Sequence, residues 1–438
     1  MTSDKRHKAR IRARMARTGE RYTTARRHVM GAAAAPTSTL GYTLRGGLHP
    51  DAATVANVLA NGGVTRSDGV PLTEAMVFGV MGGLGAGYIL WEFERDDSRV
   101  VTLGFRSQWQ YFDRGVRTAL ERLDVPHEER TTTGARSAAR HLDAQLGTGR
   151  PAIVWPDHHL IGYWQLPAGL DGHGGHPVVV VGAEHDVVHL DDRTDAVLTV
   201  SRDVLDRARG RIGSYRNTLV DPRPHAGPIA PDRLRSAALD GIDQCLRQLR
   251  GSSTSFALPA WRKWGRLMTD PGHAKGWPSV FADRVGLCGA LLSVWEGTSE
   301  LGMSGGHLRG LYGAFLREAA PLLGIRVDAV TAELDRAADL WTRLGDVAIG
   351  DDPALARLRD LTVTIRQALA ADGDAGAAEA LAAGVDLWEL RTAVDAECPL
   401  EDDDIVARFA AMGGLLTDIH DTEVRALDAL AAARDEVG

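Results

Sequence analysis

Cysteine is scarce in this chain: three in 438 residues, Cys245, Cys288 and Cys398, far apart and without paired spacing. That argues against a disulfide framework and against a thiolate zinc site, and for a reducing compartment such as the cytoplasm. No apolar run approaches the roughly 18 residues of a membrane span, and the N-terminus lacks the apolar stretch of a signal peptide. No internal repeat of fixed period is visible. The formal net charge is −8, so the body of the protein gives no reason to expect nucleic-acid binding.

What is present is an ordinary globular composition, 44% hydrophobic and 25% charged, in a chain long enough for two or three domains. Residues 1–30 are chemically apart, with lysines and arginines recurring against only Asp4 and Glu20. They read as a basic arm for an anionic partner, such as nucleic acid or an acidic carrier protein, or as a solvated tail. Residues 31–41 read as a linker. Residues 42–222 mix helix and strand signals and predict an α+β domain with an antiparallel sheet. Residues 223–438 carry apolar positions at helical spacing and predict a helical domain.

Two stretches invite chemistry. GGLGAG at 82–87 suggests a nucleotide loop, but a helix precedes the glycines and a strand follows, the reverse of a dinucleotide fingerprint. Close backbone approach at a turn explains it better, and a role for Gly83 and Gly85 in lining a ligand site is compatible with that. GHGGHPVVVVGAEHDVVHLDD at 172–192 predicts a hairpin that sets His176 beside Asp191 or Asp192, with register deciding which. A carboxylate on one imidazole nitrogen fixes the tautomer and makes the other a better base. The bland alternative is a hairpin end with ordinary surface polar residues. His158, His159, His173 and His176 also raise a metal site, but H-x-x-H in a loop lacks the helical spacing of zinc peptidases, and no metal or cofactor is expected.

His49, the helix with Asn57 and Leu59, LTEAMVFGVMGGLGAGY, GRPAIVWPDHHL, GGHPVVVVG and HLDD together resemble the N-terminal domain of the butirosin biosynthesis protein H family. FALPAWRKWGRLMTDPGHAKGWPSVF and SGGHLRGLYGAFLREAA are similar to the helical domain that often follows it. The resemblance implies a papain-like fold and acyl transfer from a carrier-protein thioester to an amine in antibiotic biosynthesis. By position it assigns His176 as base, Asp192 as orienting carboxylate with Asp191 as the alternative, and His159 as a recurrent histidine. The family's cysteine, however, falls on Pro50. Thr54 is the nearest hydroxyl, one helical turn on. Two functions follow: acyl or amide chemistry on an acyl-carrier or peptide substrate by a His–Asp base without a covalent step, or a catalytically inactive pseudoenzyme that binds a peptide, carrier protein or partner enzyme.

Three smaller features complete the reading. Trp261, Arg262, Lys263, Trp264, Lys275 and Trp277 either grip an anionic group or pack a domain interface. Arg309, at a glycine-rich helix start, is a candidate anion ligand. Cys245 and Cys288 read as small core residues.

Overall fold

The computed structural model describes residues 38–93 and 98–436. The basic arm at 1–30 lies outside the described residues, as does most of the 31–41 stretch. The last of that stretch is structured: β1 (Ser38–Thr39) pairs with β2 (Tyr42–Thr43). Helix α1 (Pro50–Asn61) starts where His49 serves as N-cap, its Nδ1 accepting from the Ala52 N–H at 3.3 Å. Pro50 takes the first helical position, where a missing N–H removes no helical bond. After β3 (Val64–Thr65), Thr73 caps α2 (Glu74–Val80) through a bond from Met76 N.

The chain then turns through Gly82 and Gly83, both at positive φ, into a ribbon of β4 (Leu84–Phe93) and β5 (Ser98–Arg106). A Cβ on Gly85 would stand 2.0 Å from the Arg106 carbonyl, so the glycine run permits close backbone approach.

The next elements are α3 (Arg114–Arg122), β6 (His127–Arg130), α4 (Ala135–Leu146), β7 (Ala152–Val154), β8 (Val178–Glu184), β9 (Val187–Asp191), β10 (Leu198–Ser201), α5 (Arg202–Arg211) and β11 (Leu219–Pro222). Six of these strands form one antiparallel sheet in the order β10-β9-β8-β7-β11-β6. The protein is thus α+β, as its alternating strand and helix signals predict. β12 (Gly227–Pro228) returns to pair with β3.

From there the chain is helical: α6 (Pro231–Leu249), α7 (Pro259–Leu267), α8 (Trp277–Val280), α9 (Leu287–Thr298), α10 (Arg309–Leu323), α11 (Asp328–Ile349), α12 (Pro353–Asp372), α13 (Ala377–Ala396) and α14 (Asp402–Asp435). Among the described residues no helix is long and apolar enough to cross a membrane.

One continuous hydrophobic cluster runs from Tyr42 to Leu430, so the sheet and the helices share a core. The β4–β5 ribbon packs into the helices, and α2 bridges α1 to the same helices. Tyr88 on β4 stacks on Trp264 at 4.8 Å and accepts a 2.8 Å bond from Trp277 Nε1, while Phe105 on β5 meets Trp341 edge-on at 4.9 Å. Trp261, Trp264 and Trp277 are fully buried, so these tryptophans pack an interface. The helical part also brings together Cys288 and Cys398, whose sulfurs lie 3.7 Å apart although 110 residues separate them.

Candidate functional site

The β8–β9 hairpin turns tightly at His185 and Asp186, with His185 at φ 56°. Val179 pairs with Asp191, and a bulge interrupts the ladder between Val180 and Gly182. His176 therefore sits just before β8 and Asp192 just after β9, side by side. His176 Nε2 meets Asp192 Oδ1 at 2.6 Å. The other carboxylate oxygen accepts from Tyr163 Oη at 2.7 Å and Trp164 Nε1 at 3.1 Å. Neighbouring strand residues face opposite ways, so Asp191 turns from the pair and accepts from Tyr42 Oη and Asn57 Nδ2, both at 3.1 Å. The register alternative thus resolves in favour of Asp192.

Burial raises the Asp192 pKa, but His176, Arg193 and Tyr163 outweigh it and hold the carboxyl well below the ordinary range. Burial without such cations pushes Asp191 up to about 6, its hydrogen bonds from Asn57 and Tyr42 opposing. An ionised Asp192 assigns the His176 proton to Nε2 and leaves a lone pair on Nδ1. Burial lowers the His176 pKa despite the carboxylate, so the ring is neutral at neutral pH.

That Nδ1 is not open. His158 Nε2 stands in hydrogen-bonding contact with it, and burial and the neighbouring His176 lower the His158 pKa as well. Asp157, fully buried, fixes this arrangement by accepting from Leu160 N at 2.8 Å and Gly172 N at 2.9 Å, which pins both ends of the loop between the two histidines.

A cavity of about 480 Å³ opens beside the pair. Its walls include His49 and Pro50 at the start of α1, His158, His176, Tyr111 and Tyr215. Asp51 lies against Arg106, Oδ2 to Nε 3.1 Å, and Arg106 in turn donates to the carbonyls of Ser107, Gln108 and Tyr111. This guanidinium is used up in holding the loop after β5. His49 lines the cavity, but its Nδ1 is committed to capping α1, and burial lowers its pKa first, with Arg106 adding to it.

Several residues expected near a substrate sit elsewhere. Thr54 is buried, its hydroxyl bonded to the Pro177 carbonyl at 3.3 Å. Gly83 packs under the Tyr312 ring and Gly85 against Arg106, and neither lines this cavity. His159 bonds the Leu166 carbonyl at 2.9 Å and lines a separate groove with Trp388. Arg309 is fully buried and forked onto Glu423 at 2.7 and 2.8 Å, with Trp261 and Trp341 donating to the same carboxylate. It is a structural pin and not an anion ligand. Among the described residues no three His, Cys, Asp or Glu side chains converge as metal ligands would.

Residues 49–193, which carry Pro50, His158, His176 and Asp192, match the family described as butirosin biosynthesis protein H, N-terminal. The match covers about a third of the chain. No curated protein matches the chain closely enough to count as a relative.

Proposed function

We propose that the protein serves natural-product biosynthesis as a papain-like acyl-handling enzyme that uses its His–Asp pair as a general base and forms no covalent acyl intermediate. The family match supports the biosynthetic setting. The observation that carries the chemistry is an intact, buried His176–Asp192 pair beside an open cavity walled by Pro50. Proline supplies neither a nucleophile nor a backbone N–H, so the acyl carbonyl must be attacked directly.

An amine bound in the cavity gives its proton to His158 Nδ1 as its nitrogen attacks the carbonyl carbon of an acyl thioester. The His158 Nε2 proton passes to His176 Nδ1, and Asp192 stabilises the resulting imidazolium. As the C–S bond breaks, the proton returns along the same path to the leaving thiolate. Holding both reactants in one cavity supplies the proximity that a covalent step would otherwise provide.

The contact that closes His176 Nδ1 favours a second reading, a binding protein with its former base stoppered by His158. One experiment separates the two. A carrier protein loaded with an aminoacyl thioester is incubated with an amine and either the native protein or His176→Ala. Turnover lost in the variant, with no acyl adduct on the native protein by intact mass, supports the enzyme. Carrier binding without turnover, unchanged in His176→Ala, supports the binder.

A further inference from the structure

A second cavity, of about 460 Å³, lies on the other side of Asp192, between the α+β part and the helices. Its walls come from the loop before α1, the α1 face carrying Asn57 and Ala60, the stretch 192–195, residues 300–302, and Arg366 and Ala370 on α12. Ligand sites favour such places between structural units.

The charges in it are unevenly placed. Arg45 and Asp195 stand exposed, whereas Arg366 is only 6% exposed. Arg366 lies over the Trp164 ring at 4.3 Å and donates from Nη2 to Glu296 at 3.0 Å. Its Nη1 is buried with no hydrogen-bond partner. Arg193, its side chain also largely buried, approaches the same ring at 6.0 Å and donates to the Leu48 carbonyl at 2.7 Å.

Four acids line the walls, Glu74, Asp192, Asp195 and Glu300, and the first two are engaged by neighbouring donors. Asp192 accepts from His176, Tyr163 and Trp164, and Glu74 from the backbone of Leu48 and His49. Buried donors are almost always satisfied, and an arginine fork matches a carboxylate. Arg366 and Arg193 both line the cavity and both approach the Trp164 ring, and one of them is short of an acceptor.

We infer that this cavity is a second ligand site, taking a small carboxylate-bearing molecule whose acid group sits at Arg366 and Arg193. Arg193 Nε also lies 3.5 Å from Asp192 Oδ1, so the ligand shares a guanidinium with the carboxylate that orients His176.

The test is calorimetric titration of the full chain with succinate, benzoate and inorganic phosphate. At least one carboxylate is expected to bind with a sub-millimolar Kd. Arg366→Met should weaken it tenfold or more, with Arg366→Lys falling between. Because Arg366→Met can perturb folding, Ala60→Leu fills the cavity from a half-exposed helix position and should abolish binding with an unchanged melting curve. Failure of both carboxylates to bind at 10 mM overturns the inference. So does binding insensitive to Arg366→Met and Ala60→Leu, or phosphate binding ten times tighter than either carboxylate.

Discussion

Two of the molecule's buried carboxylates, Glu423 and Asp192, are held in different ways. Glu423 is sealed: Arg309 forks onto it, two indoles donate to it, and Phe105 and Trp341 flank the guanidinium at 5.3 and 5.5 Å. Asp192 is as deeply buried and as fully bonded, yet its partner His176 opens on a cavity and carries a nitrogen whose lone pair another histidine reaches. Both pairs satisfy the rule that buried charge needs a partner. Only one places a titratable ring at a cavity wall, its Nδ1 lone pair met by His158. A sealed pair fixes architecture, here the joint between ribbon and helices, whereas a pair at a cavity wall stores chemistry.

The largest break in this comparison is expected at His176. His176→Ala should cost about 10²- to 10⁴-fold in acyl transfer per folded molecule, the usual contribution of general acid–base catalysis, and should also lower the melting temperature because Asp192 loses a buried hydrogen bond. Activity and calorimetry on the same preparation check this. At the sealed pair the pattern should invert. Glu423→Gln leaves a buried guanidinium charge uncompensated and should destabilise by about 3–5 kcal/mol, read by urea unfolding, with activity per folded molecule preserved.

Acid should also distinguish the two pairs. His49, His158 and His176 all titrate below the ordinary imidazole value because burial disfavours their charged forms. Below pH ~6.5 the unfolded chain binds more protons at these rings than the folded one. Their contribution to stability is therefore complete above that pH and is lost as pH falls through it. The slope is at most about 1.4 kcal/mol per pH unit for each histidine. Turnover should fall on the same acidic side as the base protonates. Unfolding at a series of pH values should show a shallower slope for His158→Gln.

The smallest expected effect on stability is that of Pro50→Cys, under about 1 kcal/mol, since the first helical position tolerates most residues. Its chemical effect should be clear. A thiol at a helix N-terminus beside two imidazoles is activated, so iodoacetamide should label it ahead of Cys245 and Cys288, whose thiols burial pushes up.

Much of the fold is legible in local pattern. The His49-Pro50 start of α1, the helix–glycine–strand order at 74–93, the hairpin ending at Asp191 and the helical periodicity after residue 230 all appear where short-range signals put them. Non-local facts are what the sequence hides. The bulge between Val180 and Gly182 sets which aspartate reaches His176, and no residue preference announces it. His158 and His159 are adjacent, and only the loop pinned by Asp157 determines that the first meets His176. SGGHLRG looks like an anion-binding helix start, but the anion is Glu423, 114 residues away on α14. Arg366 and Trp164 meet across 202 positions, and neither carries a local sign of the other.

In the proposed mechanism Asp192 holds a neutral His176 with its proton on Nε2, leaving the Nδ1 lone pair to take the proton passed on by His158. Nitrogen-15 NMR of ring-labelled histidine at pH 7, with the resonance assigned by its loss in His176→Gln, tests it without a substrate. The account predicts a neutral ring protonated at Nε2 and a strongly deshielded Nε2 proton that disappears in Asp192→Asn. An imidazolium at pH 7, or a ring protonated at Nδ1, would contradict it.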